Sequence, residues 1–181
     1  MHLVGVGSYG ASTIGSLWLD EARRRQLESG GTLRWMASEN SVAALLTNRL
    51  LQRALLSGAD IAVDNGHGPF LPPEGSHIVV GLGGEGAIRL VEAAGKGRVR
   101  ACTIHALMPF SFDVYRDRAV QAAAALKLWE IANQDARLLI VDAAEYTQTH
   151  ESAAVVQKRI QDHVQDSVCR HLGNMERWLL A

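Results

Sequence analysis

Short apolar runs alternate with longer amphipathic stretches along almost the whole chain. The run His2–Val6 is apolar and closes on glycines, which predicts a strand. Over residues 10–28, Ile14, Leu17, Trp18 and Ala22 return at helical spacing, and Gly30-Gly31 ends the pattern. The same reading predicts strands at 33–37, 61–63, 78–81, 98–105 and 138–141. It predicts helices at 41–56, 87–94, 117–133 and 151–172. The last helix carries Val156, Ile160, Val164, Val168 and Leu172 along one face, and at about 1.5 Å per residue it is long enough to cross a small domain. Packing against the body of the domain is the expected role of that stripe.

A regular succession of strand and helix predicts an α/β fold: a Rossmann-like parallel sheet with helices on both faces. Residues 64–77 form the one long irregular stretch and hold three of the four prolines, Pro69, Pro72 and Pro73. Loops of that length are usually functional or mobile. A chain of 181 residues without repeat or linker fits one domain.

Composition narrows the function classes. Apolar residues make up 48% and charged residues 20%, too apolar for a disordered chain. The formal net charge of -1 gives no general attraction to nucleic acid or anionic lipid. No apolar run is long enough to span a membrane and no leader is visible, so a cytoplasmic setting is expected. Cys102 and Cys169 sit in apolar patterns and are expected to be buried free thiols. The histidines are scattered, and only His163 and His171 share a predicted helix, two turns apart, so no metal site is expected. Trp18, Trp35, Trp129 and Trp178 are read as packing residues, and Arg23, Arg24 and Arg25 as charges complementing a helix C-terminus.

Two glycine turns carry the candidate chemistry. Gly5-Val6-Gly7-Ser8-Tyr9-Gly10 follows the first strand and opens a helix. Gly81-Leu82-Gly83-Gly84-Glu85-Gly86 does the same after a later strand. Glycine lets the backbone approach a phosphate, and helix-terminal N–H groups attract the anion. At the carboxyl ends of parallel strands both turns would face one crevice, which points to a phosphate-bearing ligand. Glu85 stands at a helix start where a phosphate would rest, with Arg89 one turn on as its expected partner.

In order along the chain, these segments resemble the nucleotide-binding domain of the FtsZ/tubulin superfamily. Residues 2–12 are similar to its opening strand and first phosphate loop, and 37–46 to its second loop and following helix. Residues 58–64 resemble the strand before the third loop, and 78–87 the tubulin signature strand and loop. Met108-Pro109-Phe110-Ser111-Phe112-Asp113 resembles the proline-phenylalanine-x-phenylalanine-glutamate segment of FtsZ. Residues 138–141 resemble the strand before the base-binding loop, and 151–172 the central helix that joins the family's two domains.

The resemblance implies a guanine-nucleotide site formed by Gly5, Gly7, Ser8, Tyr9, Gly10, Glu39, Asn40, Gly83, Gly84, Glu85, Gly86, Asp113, Arg116 and Arg118, taking GTP or GDP, with or without magnesium. The departures matter as much. The family's longer glycine-threonine-glycine signature is shortened here and gains Glu85, and Asp142-Ala143-Ala144-Glu145 lacks the asparagine that follows the strand in FtsZ. In the family a loop after the central helix supplies the catalytic acid to the next subunit, and a second domain follows. Here residues 1–172 account for the nucleotide-binding domain and 173–181 for a short tail. The expectation is therefore a protein without a catalytic residue of its own. It would act through contacts with another protein, itself or a cytoskeletal or cell-division-type partner, rather than as a self-activating filament GTPase. Two alternatives stand beside it: an NAD(P)-binding oxidoreductase that uses Gly5-x-Gly7-x-x-Gly10 with Glu39 as ribose acceptor, and a ligand-free scaffold of the same fold.

Overall fold

The computed structural model describes residues 1–29, 31–39, 41–146 and 151–173. Its strands are β1 (His2–Val6), β2 (Arg34–Ser38), β3 (Ile61–Asp64), β4 (His77–Gly81), β5 (Thr103–Met108) and β6 (Arg137–Asp142). Its helices are α1 (Gly7–Leu19), α2 (Glu21–Glu28), α3 (Val42–Thr47), α4 (Arg49–Leu56), α5 (Glu85–Gly95), α6 (Arg116–Ala132) and α7 (Ala153–Gly173), with a 3-10 turn at Ala143–Tyr146. All strand pairs are parallel, in the order β3-β2-β1-β4-β5-β6. The chain winds outward in one direction from β1 and in the other from β4. The switch between those neighbours opens a crevice above their carboxyl ends, where Val6 lies beside Val80.

Strand alternation sends side chains to two apolar layers. Val4, Val6, Ile78, Val80, Ile104 and Ala106 pack with Leu90 of α5 and Leu126 and Trp129 of α6. Leu3, Trp35, Ala37 and Val79 pack on the other face with Ile14 and Leu17 of α1 and Val164, Val168 and Leu172 of α7. Val156 and Ile160 close over Ala143 in a third cluster. The whole stripe read on the final helix is thus its buried face. Cys102 and Cys169 are buried and free, and burial pushes the Cys169 thiol up to about 11.

Several boundaries differ from the sequence reading for local reasons. The helix expected over 10–28 begins earlier, at Gly7, and divides at Asp20, whose carboxylate caps α2 by accepting from Arg23 N at 3.1 Å. The helix expected over 41–56 divides at Asn48, whose side chain accepts from Leu51 N at 3.2 Å. β5 lies at Thr103–Met108 rather than 98–105, because Gly97 and Ala101 adopt positive φ (67° and 49°) and hold the preceding segment in a turn. Arg23 does not complement a helix end. It reaches across to α7 and pairs with Asp162 at 3.3 Å and Asp166 at 3.0 Å.

At the opposite end of the sheet from the crevice, three histidines scattered in sequence come together. His77 Nδ1 and His105 Nε2 are 3.2 Å apart on neighbouring strands, and both residues are buried. Ser167 of α7 lies 3.5 Å from His105 Nδ1, and His171 Nδ1 donates to the Ser167 carbonyl at 2.7 Å. Burial draws His77 down to about 4, helped by the nearby charge of His171, and draws His105 well below the usual histidine range.

Candidate functional site

The crevice is built on glycines that let backbones touch. Gly5 packs beneath the Gly10 carbonyl and Ile14, and Gly10 lies under the Val79 carbonyl. These two glycines seat α1 on β1 and β4, below the site rather than in its wall. Gly7 takes φ +69° and turns the chain from strand to helix in a single residue. From there the wall of a cleft of about 440 Å³ is formed by Gly7, Ser8, Tyr9, Gly83, Gly84, Glu85, Gly86, Asp113 and Arg118. Val6, Gly81, Leu82, Leu107, Pro109 and Tyr115 complete it, and of these Leu107 and Tyr115 lie outside the motifs read from the sequence.

Both α1 and α5 start at this cleft, and neither has a side-chain cap on its first turn. Uncapped N-termini leave backbone N–H donors and positive partial charge facing the opening. Glu85 pairs with Arg118 of α6 at 3.3 Å, not with Arg89. Arg118 also lies over the Tyr115 ring, 5.6 Å from its centre. Arg89 instead ties the second and third loops to α5, donating to Ser38 Oγ at 2.9 Å and Asp64 Oδ2 at 3.3 Å. Despite partial burial, hydrogen bonds from Ser38, Gly66 and Arg89 hold the Asp64 carboxyl below its ordinary range.

A second pocket of about 330 Å³ adjoins the first and shares Tyr9, Leu107, Pro109 and Asp113 with it. Phe110, Ala143 and Ile160 make it apolar, and Gln157 and Gln161 of α7 bring amides to its edge. Nothing in the sequence marked these glutamines, because glutamine on a helix reads as an ordinary solvent-facing residue. Tyr9 stands between the pockets. Its ring lies over Gly81, and its hydroxyl is buried without a hydrogen-bond partner among the described residues. Burial pushes that phenol up to about 12. Thr13 tempers the shift slightly, but its own hydrogen bond goes to the Tyr9 carbonyl at 2.9 Å.

Two further expected contacts lie elsewhere. Glu39 is 0% exposed and accepts from Ser8 Oγ and Asn48 Nδ2, each at 3.2 Å, so its carboxylate braces the first loop from behind. Arg116 grips Asp142 through both nitrogens at 2.8 and 2.6 Å and donates to the Pro109 carbonyl. Those bonds raise the Arg116 guanidinium, lower the Asp142 carboxyl and lock the loop between β5 and α6. Asn40 lies outside the described residues. Asp113 does face the cleft, and its Oδ1 accepts from Tyr115 N at 2.9 Å to shape the same loop. Among the described residues no group of three or more His, Cys, Asp or Glu is arranged to hold a metal ion, and none of the helices is long and apolar enough to cross a membrane.

No family model matches the chain, and no curated protein matches its sequence. Solved structures do share its fold. A GTPgS-bound protofilament of CetZ2 from Haloferax volcanii is 18% identical, with a TM-score of 0.58 over 96% of this chain and 58% of the other. CetZ from Methanosaeta thermophila is 13% identical, with a TM-score of 0.59 over 91% and 51%. A point mutant of FtsZ from M. jannaschii is 16% identical, with a TM-score of 0.61 over 94% and 55%. The chain spans little more than half the length of these proteins and has an FtsZ/tubulin-like fold.

Proposed function

We propose that this FtsZ/tubulin-like chain binds a guanine nucleotide at the β1–β4 crevice and acts through protein contacts. One observation carries the binding reading: two helices without side-chain caps, α1 and α5, begin side by side at one cleft. The phosphates sit against Gly7, Ser8 and Gly84 to Gly86. The base enters the adjoining apolar pocket, where Gln157 and Gln161 can bond its polar edge and the Tyr9 hydroxyl gains a partner. A GTPgS-bound structure of the same fold supports the choice of guanine. The dinucleotide alternative loses its ribose acceptor, because Glu39 is sealed behind the first loop.

Exposed apolar side chains support the protein-contact role. Val120, Leu128 and Ile131 line the outer face of α6, and Phe112 and Val114 stand out from the loop beside the cleft. The partner is a second copy or a cytoskeletal or cell-division-type protein.

Thermal melting with GTP, GDP, ATP and NAD tests the ligand, since one that prefers the folded state raises the midpoint. A rise with a guanine nucleotide at millimolar concentration is expected. No rise with either, or a rise with NAD alone, overturns the reading.

A further inference from the structure

The phosphate end of the cleft carries its own anion. Glu85 is the first residue of α5, and its carboxylate crosses to Arg118 of α6 at 3.3 Å, with both residues in the cleft wall. The charged residues of that wall are Glu85, Asp113 and Arg118, two acids and one base. Among the described residues Arg118 is the only cation there, and Glu85 already neutralises it. The two side chains are 62% and 47% exposed, so the pair is solvent-bathed, weak and free to exchange.

We infer that Glu85 fills the seat of a terminal phosphate, so that the cleft selects a nucleoside diphosphate over the triphosphate, with Arg118 as the cation for which carboxylate and phosphate compete. This rests on the nucleotide reading above. Two phosphates can occupy the start of α1 and the turn at Gly83 and Gly84. A third would be brought against the Glu85 carboxylate at the α5 start, where like charges a few ångströms apart still repel, though solvent screening weakens the effect. The carboxylate meanwhile gains from the same helix dipole that would have held the phosphate.

The test is isothermal titration of the full chain with GDP and with GTP, in chelator so that no divalent cation masks the charge. GDP is expected to bind about tenfold tighter than GTP. Glu85→Gln removes the charge at an exposed position and should bring the two affinities within about threefold by strengthening GTP. Arg118→Gln leaves Glu85 unneutralised and should widen the ratio, which gives a second reading if the first variant folds poorly. Equal affinities in the unaltered chain, or a ratio that neither variant moves, overturn the selectivity while leaving nucleotide binding intact. Heat evolved with neither nucleotide overturns the nucleotide reading itself, and this inference with it.

Discussion

Gly7 and Gly86 meet backbone to backbone at the floor of the cleft: a Cβ on Gly86 would stand 2.8 Å from both Cα and N of Gly7. The contact joins the turn after β1 to the turn after β4, so the two helix starts are set by each other. Gly86→Ala should force the turns apart, cost about 1–3 kcal/mol, and abolish the nucleotide-induced rise in melting temperature. Gly7→Asp should do the same, because its Cβ would stand 3.0 Å from the Gly86 Cα and its carboxylate would face the phosphate seat. Gly84→Ala meets nothing closer than the Gly81 carbonyl at 3.9 Å and should leave the melting temperature of the free protein unchanged. Equal melting temperatures for the Gly86 and Gly84 variants would show that the contact is not rigid.

The Tyr9 hydroxyl offers a separate handle. Buried without a partner, it is a cost in the free protein. Tyr9→Phe should therefore stabilise the free chain by about 1 kcal/mol in urea unfolding. If the hydroxyl bonds the nucleotide, the same variant should show a smaller rise with GDP. A variant less stable than the parent would mean that the hydroxyl has a partner after all.

Much of this architecture was legible in the residues. Short apolar strands and amphipathic helices set the parallel sheet, and the spacing from Val156 to Leu172 marked the buried face of α7. The glycine turns marked the crevice because only glycine permits the approach of Gly7 to Gly86. What could not be read was the destination of long polar side chains. Arg89 and Arg118 are equally plausible partners for Glu85 by charge, and only the placement of α6 decides between them. Glu39 looked available to a ribose because burial of a single carboxylate leaves no periodic trace. The helix breaks at Asp20 and Asn48 depend on side-chain caps that compete with continuous helical pattern.

The outer face of α6 tests the protein-contact reading. Leu128 and Ile131 are 69% and 73% exposed, so they contribute little to the fold. Leu128→Asp should change stability by no more than about 0.5 kcal/mol. If this face carries contacts between copies, the variant should shift a self-associating sample toward monomer in light scattering. An unchanged mass distribution in an associating sample would move the interface elsewhere.

The histidines beneath α7 predict how stability depends on pH. In the folded chain His77 titrates near 4 and burial holds His105 well below the ordinary histidine range, whereas both return to about 6.5 when unfolded. Between those values the unfolded chain binds more protons, so stability is complete above about pH 6.5 and falls as pH drops toward 4. His77 alone accounts for roughly 3 kcal/mol across that window. The carboxyls held low by hydrogen bonds, Asp64 and Asp142, add their loss only nearer pH 4, so the interval from 6.5 to 5 isolates the histidines. Urea unfolding at steps through that interval should show a steady decline. His105→Gln keeps a hydrogen-bonding group beside His77 but cannot titrate, and should flatten the slope. A stability that stays level from pH 7 to 5 would mean that the pair is solvated, and that α7 does not seal this end of the sheet.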